Sequence, residues 1–209
     1  MSRDRTTQEQ LWDGPFGDQY IERTRGPEWF ARNVSLFSRI LESAGPVDSV
    51  LELGANIGLN LHALRSLLPT AAQTAVEINA KAVSALRALP NVTVHHGSIL
   101  DYKAAHQVDL AFTKTVLIHI APERLPQVYD VLHASARKYV LLIEYYSPAP
   151  VEVSYRGHAG QLFKRDFAGE MLARFPDLKL RDYGFRYRRD VLFPQDDVTW
   201  FLLEKRSQS

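Results

Sequence analysis

The 209-residue chain predicts an α/β fold, a seven-stranded and mostly parallel sheet that ends in an antiparallel hairpin, with helices on both faces. Three observations predict it. From residue 49 to 146, apolar runs with little alternation take turns with amphipathic helical patterns, and strands of that kind are buried on both faces. Two β-rich runs near the C-terminus follow one another without a helix between them, so they must pair antiparallel. The composition, 45% hydrophobic with a net charge of +1, suits one globular core and creates no demand for nucleic acid or an anionic membrane.

The elements follow in order. "PEWFARNVSLFSRILESAGP" (27–46) is an amphipathic helix, with Trp29, Phe30, Val34, Phe37 and Leu41 at helical spacing and Gly45-Pro46 at its end. "SVLELGA" (49–55) is the first strand. "LNLHALRSLL" (59–68) is a helix that stops at Pro69. A second strand (72–79), a second helix (80–89) and a third strand (92–98) come next. A fourth strand (108–115), a helix over roughly 122–137 and a fifth strand (139–146) complete the repeat. "LFKRDFAGEMLARFP" (162–176) reads as a further helix, and 178–189 with 197–206 as the antiparallel pair. The whole is one domain of 209 residues. Residues 1–46 form an N-terminal lid and helix, 47–209 the core, and about 144–170 an acceptor segment within it. The lid region, 8–26, is polar and carries three glycines, yet has Leu11, Trp12, Phe16 and Tyr20 to bury, so it is expected to close over a ligand.

Several classes of function are excluded or disfavoured. There is no cysteine, hence no disulfide frame, Cys-zinc site or cysteine nucleophile. His95 and His96 are adjacent on a strand and point to opposite faces, and no other spacing suits a metal. No G-x-S-x-G nucleophile turn occurs. The N-terminus "MSRDRTTQEQLWDG" lacks a signal-peptide core and no run nears the ~18 apolar residues of a membrane span, so a cytoplasmic protein is expected. Arg181, Arg186, Arg188 and Arg189, interleaved with Tyr183, Phe185 and Tyr187, read as a solvated hairpin face. The expected partner is a small-molecule substrate, with no nucleic acid and no membrane, and nothing in the sequence fixes the oligomeric state.

The chemistry centres on "LELGANIGLN" (51–60). In an open parallel sheet, ligands bind beyond the carboxyl ends of the strands where strand order reverses, and the first strand–turn–helix supplies the floor. Gly54 can take a positive φ, and Gly58 has no Cβ to block a ligand or a packing helix. Glu77, near the end of the second strand, is placed to accept hydrogen bonds from a ribose diol. Together these point to an adenosine-bearing cofactor. Dinucleotide proteins use G-x-G-x-x-G, whereas Ala55 and Asn56 stand here where the middle glycine would be. An NAD-type oxidoreductase is therefore the runner-up, and a binding module with a dead cofactor site is a third reading.

The E-x-G-x-x-x-G turn, Glu77 and the terminal antiparallel pair together resemble class I S-adenosylmethionine-dependent methyltransferases, with their Rossmann-like sheet. More narrowly, "LWDGPFGDQYIER", "GSILDY", "FTKTVLIHI", "EYYSPAPVEVSYRGH", "LFKRDFAGE" and "FPQDDVTWFLLEK" are similar to the pseudaminic acid biosynthesis-associated methylases, over about residues 8–206. The resemblance implies S-adenosyl-L-methionine as cofactor, with S-adenosyl-L-homocysteine as its product. It places Glu52, Gly54, Ala55, Asn56 and Gly58 on the methionine side, Glu77 at the ribose, and Ile78, Ser98 and Ile99 around the adenine. Ser98 stands where many class I enzymes have aspartate. Thr113 and Lys114 would pass beside the sulfonium. Tyr20 and Arg23, one helical turn apart, would face the cofactor, the arginine pairing with its carboxylate, with Arg32 and Asn33 as rivals.

For catalysis, His119 is a candidate base, and Glu144 with Tyr145 and Tyr146 ends the fifth strand on the same rim. Tyr155, Arg156, His158, Lys164 and Arg165 form a basic set suited to a carboxylate or phosphate on the acceptor. The expected activity is methyl transfer to a small polar metabolite in a biosynthetic pathway. A sialic-acid-like sugar or other anionic acceptor would use His119. An amino-acid-like amine or guanidine such as arginine would be held at Glu144.

Overall fold

The computed structural model describes residues 3–23 and 26–206, with His158 and Ala159 described in their backbone alone. Seven helices and nine strands are seen among these residues. The strands are β1 (Ser49–Leu53), β2 (Ala72–Glu77), β3 (Val92–His96), β4 (Val108–Lys114), β5 (Ala136–Glu144), β6 (Val151–Tyr155), β7 (His158–Lys164), β8 (Leu178–Arg186) and β9 (Val198–Lys205). The main sheet has the order β3-β2-β1-β4-β5-β9-β8. Its first five strands pair parallel, and β9 joins β5 and β8 antiparallel. The fold is the Rossmann-like sheet with a terminal antiparallel pair that the sequence predicts.

Successive residues of a buried strand point to opposite faces, and each face collects its own core. Val50, Ala75, Phe112, Leu141 and Trp200 pack under α3 (Pro27–Leu41), α4 (Leu59–Leu67) and α5 (Ala80–Arg87). Leu51, Val76, Ala111, Leu142 and Leu203 pack under α6 (Leu125–Ser135) and α7 (Phe167–Arg174). Strand order runs one way from β1 to β3 and the other way from β4 to β5. The switch point therefore lies between β1 and β4, and their carboxyl ends open a crevice there.

Two regions depart from the sequence reading. The helix expected at 162–176 is only Phe167–Arg174, because Asp166 caps it by accepting the Gly169 N–H at 2.8 Å. Residues before it form β7, which pairs with β6 as a separate two-stranded ribbon. "YRGH" is the turn of that ribbon. Arg156 (φ 51°) and Gly157 (φ 85°) are both left-handed, as a two-residue type I′ hairpin loop requires. The polar N-terminal region forms α1 (Thr7–Trp12) and α2 (Pro15–Arg23). A reciprocal capping box of Thr6 and Glu9 starts α1.

Candidate functional site

The crevice holds about 1390 Å³ of empty space, its open mouth included. The turn after β1 makes its floor, the ends of β2 and β3 one side, and the segment after β4 the other; α1, α2, α3 and the loop before β9 close over it. In the floor, Gly54 (φ 76°), Asn56 (φ 48°) and Gly58 (φ 82°) are all left-handed. The Gly54 and Ala55 N–H groups donate to the Val76 carbonyl at 2.8 and 3.2 Å, which ties the turn to β2. A Cβ on Gly54 would come within 2.7 Å of Val116, and one on Gly58 within 2.5 Å of Leu89. Both glycines thus serve the packing of the turn as well as its conformation.

Glu77 is buried at the end of β2. It accepts the Asn56 N–H at 2.7 Å and the Asn79 N–H at 2.8 Å, one on each oxygen. Burial raises its pKa, and those amides oppose the rise. Asn79 also caps α5 through the Ala82 N–H. Ile78, Ser98, Ile99 and Leu100 continue this wall as a largely apolar surface. The Ser98 hydroxyl receives the Leu100 N–H at 3.1 Å and Arg3 at 3.0 Å. Arg3 also pairs with Glu9 and, at 2.9 Å, with Asp101. Burial would raise the Glu9 carboxyl, but hydrogen bonds from Arg3, Ser98 and Thr6 hold it down at about 2.

The opposite end of the floor holds the half-buried Lys114, with the Glu52 carboxylate buried behind the cleft lining. Lys114 Nζ donates to Asn33 Oδ1 at 2.9 Å, and the buried Gln195 approaches the same oxygen at 3.4 Å. Glu52 takes one bond, from Asn60 Nδ2, on Oε1; Glu52 Oε2 and Asn60 Oδ1 are buried without partners. Burial pushes Glu52 up to about 8 and Lys114 down to about 8, with mutual attraction working against both shifts. Arg23 lies exposed on α2, outside the cleft lining. Arg32 stacks over Trp29 at 5.1 Å and does not line the cleft, whereas Tyr20 and Asn33 do.

His119 is buried where the segment after β4 meets the β6–β7 ribbon. Its ring lies 4.8 Å from Trp12 and 4.9 Å from Tyr155. Its Nδ1 sits 2.6 Å from the Gln161 carbonyl, which can only accept, so Nδ1 carries the proton and Nε2 keeps a lone pair. Burial lowers its pKa to about 4. Beside it in the cleft wall, the Trp12 indole N–H is buried without a partner. Tyr20, whose pKa burial raises to about 12, lines the same wall.

The remaining expected catalytic group is placed differently. Glu144 does not reach the cleft. Its carboxylate is buried under the loop after β4 and accepts the N–H groups of Val116 and Leu117 at 3.1 Å and of Ile118 at 3.5 Å. It fastens that loop instead of meeting an acceptor. Thr113 is buried beside it, also outside the lining. Tyr145 lies half-buried under the Lys164 ammonium at 5.3 Å, and Tyr146 is exposed against Phe201. Arg165 is bound to Glu170 at 2.6 Å and points away from the cleft. Arg156 is exposed on the ribbon turn over the Tyr155 ring. The His158 side chain lies outside the described residues.

The structure adds residues that the sequence reading passed over: Asn60, Asn79, Gln195 and Asp196. Asn79 had a readable signal, an asparagine just before a helical pattern. Asp196, in the loop before β9, lines the cleft and has no hydrogen-bond or ion-pair partner among the described residues. Among the described residues no group of three or more His, Asp or Glu converges as for a metal, and no helix is long and apolar enough to cross a membrane.

No family model and no curated protein matches the chain. Solved structures do match in fold. SAM-bound CalS10, an amino pentose methyltransferase from Micromonospora echinaspora, aligns over 98% of this chain and 100% of its own at a TM-score of 0.62 and 11% identity. SAH-bound magnesium protoporphyrin IX methyltransferase from Synechocystis PCC 6803 aligns over 97% of this chain and 100% of its own at 0.71 and 12%. DesVI from Streptomyces venezuelae aligns over 91% and 97% at 0.63 and 11%.

Proposed function

We propose that the chain is an S-adenosylmethionine-dependent methyltransferase acting on a small polar metabolite. The observation that carries this is the buried Glu77 at the end of β2, beside a glycine turn and an apolar wall at the switch point of the sheet. Glu77 would hold the ribose hydroxyls, with Ile78, Ser98 and Ile99 against the base. The orphaned acceptors Glu52 Oε2 and Asn60 Oδ1 fit a ligand ammonium. When bound, the cofactor supplies an already activated methyl group, so the protein's task is alignment and removal of one proton. Solved proteins of this fold include an amino pentose methyltransferase and a glycopeptide N-methyltransferase, both bound to SAM, which supports the reading. Calorimetry with S-adenosylhomocysteine and with NADH tests it. Binding of the first alone is expected, and binding of NADH alone would overturn it in favour of an oxidoreductase.

For the acceptor, the reading we favour is a hydroxyl of a sugar-like, anionic metabolite. The unpartnered Trp12 N–H would hold the acceptor oxygen, and His119 Nε2 would take its hydrogen bond. A base of pKa about 4 removes no proton from a free alcohol, but it readily accepts one from the strongly acidic protonated ether that methylation leaves. Arg156 and Lys164 stand on the ribbon outside the cleft lining, each over a tyrosine ring, and Arg165 is held by Glu170. A second reading is an amine or guanidinium acceptor, and the bare Asp196 carboxylate favours it. With an acceptor found by metabolite screening, His119→Ala should lower kcat ~100-fold in the first case. In the second, Asp196→Asn should carry the loss and His119→Ala should matter little.

A further inference from the structure

The far edge of the sheet carries a bare aromatic face. β8 is the last strand of the order, so its outer edge has no neighbour among the described residues. A bulge between Leu180 and Asp182 resets its alternation. Beyond the bulge, Asp182, Gly184 and Arg186 stand opposite Leu202, Trp200 and Val198 and face α3. There Asp182 accepts from the Ser43 hydroxyl, and Arg186 donates to the Ser35 carbonyl at 2.9 Å. Tyr183 and Phe185 point to the other face and are 62% and 57% exposed. Tyr183 stacks on Phe201 at 6.2 Å, Tyr146 meets the same ring at 6.0 Å, and Phe185 leads on to Tyr187 at 6.2 Å. Arg181 and Arg188 are drawn off to the Ser43 carbonyl and Asp197. The row of rings is thus separated from the arginines interleaved with it in sequence, which leaves an apolar surface rather than a nucleic-acid platform.

This edge is complementary to itself. Along an antiparallel edge strand, alternate residues turn N–H and C=O outward. The Tyr183 N–H bonds to the Asp182 carboxylate at 2.8 Å, off the strand's outer side, and Phe185, two residues on, shares its direction. A second β8 laid antiparallel, Gly184 against Gly184, lets Tyr183 and Phe185 exchange backbone hydrogen bonds with the partner's Phe185 and Tyr183. The same register sets Tyr183 beside Phe185 as aromatic pairs on one face and Asp182 beside Arg186 as opposite charges on the other, each pair occurring twice. Gly184 adds no side chain at the axis. A slip of one residue would put Asp182 against Phe185 and lose both kinds of pair. Edge strands are ordinarily blunted, but here the bulge and Lys179 protect only the first half of β8. Area agrees as well. The antiparallel register brings the loop tip Val191-Leu192, 94% and 75% exposed, toward the partner's Leu180. With the exposed rings, these side chains offer on the order of 700 Å², against the ~800 Å² that one partner buries in a stable complex.

We propose that β8 is the interface of a homodimer, in which two copies pair antiparallel about Gly184 and join their seven-stranded sheets into one continuous sheet. The cleft lies at the switch point between β1 and β4, away from this edge, so each copy keeps its own mouth open.

Analytical ultracentrifugation of the full chain tests this. Wild type should sediment at twice the chain mass at ~10 µM. Phe185→Lys brings a charge from each copy beside the axis and should weaken association ~100-fold, with circular dichroism unchanged because the position is exposed in one copy. Tyr183→Lys makes the same comparison if that variant misfolds. Asp182→Arg and Arg186→Asp should each weaken association ~10-fold when made alone, by setting like charges against each other. Made together they should restore it, which contacts within one chain do not explain, since the two residues stand well apart along the strand. A wild type that stays monomeric at ~100 µM would overturn the dimer. So would undiminished association in both lysine variants, which would place any dimer contact elsewhere, and failure of the double exchange to restore association would overturn the Gly184 register. A monomeric wild type that floats with phosphatidylglycerol vesicles would overturn it in favour of a membrane surface.

Discussion

Glu52 and Glu144 stand on strands that flank β4, both buried near the carboxyl ends and both raised by burial, to about 8 and about 7. Their surroundings differ. The segment after β4 folds back over the end of β5 and brings three N–H groups down onto Glu144. Over the end of β1, the glycine turn leads away, and Glu52 keeps one side-chain partner and one bare oxygen. The first carboxylate is a fastener, and on the proposed reading the second is a receptor. What distinguishes them is the path of the chain above the strand ends, and residue type and burial do not reveal it.

The strongest way to break this comparison is stability. Glu144→Ala leaves three buried N–H donors without an acceptor, and at 1–3 kcal/mol for an unsatisfied buried group a loss of about 3 kcal/mol is expected in urea unfolding. Glu52→Gln should change stability by less than ~1 kcal/mol, since one bond to Asn60 can be kept. Comparable losses in the two would mean that Glu52 is also a fastener.

Glu77 sharpens the contrast, because on the proposed reading it is both. It ties the turn through Asn56 and faces the cleft. Glu77→Ala should lower stability by ~1–2 kcal/mol and weaken S-adenosylhomocysteine by ~1–3 kcal/mol. Calorimetry and urea unfolding on one variant measure both. Full affinity in that variant would remove Glu77 from the ribose.

The sheet was legible because periodicity reports burial directly. Continuous apolar runs such as "VLEL" and "YVLLI" have no solvated face to occupy, and helical spacing assigns the elements between them. The β6–β7 ribbon was not, since "VEVSYRGH" is short, polar and largely exposed, and only its Arg156-Gly157 pair carries turn information. That the glycine turn and Glu77 line one cleft was legible because the turn and the strand-end acid lie close in sequence. The role of Glu144 was hidden, since its partners are main-chain amides of residues 116–118 that no side-chain pattern encodes. Asp196 was hidden for a related reason: it reaches the cleft only through tertiary contacts of the loop before β9.

The smallest expected effect separates the two glutamates by pH. Glu144 has a folded pKa of about 7 against an ordinary 4.5. Between those values the folded state keeps a proton that the unfolded chain has lost. Its stabilising contribution is therefore full below 4.5 and is lost as pH rises toward 7. Glu52 behaves likewise, with its window reaching about 8. His119 runs the other way, since its pKa falls from 6.5 to about 4 and protonation of the unfolded chain favours unfolding as pH drops through that range. The useful quantity is thus the difference between each glutamine variant and wild type. Both Glu144→Gln and Glu52→Gln should flatten the decline in stability with rising pH, by on the order of 1 kcal/mol across the window. Saturating S-adenosylhomocysteine then divides them. A ligand ammonium on Glu52 favours its ionised form and erases that residue's share of the decline, so the Glu52→Gln difference should vanish. Glu144 meets no ligand, and its difference should persist. Thermal melts at half-unit steps from pH 5 to 8 measure all four curves, and a Glu144 difference that vanished with ligand would place that carboxylate back at the acceptor.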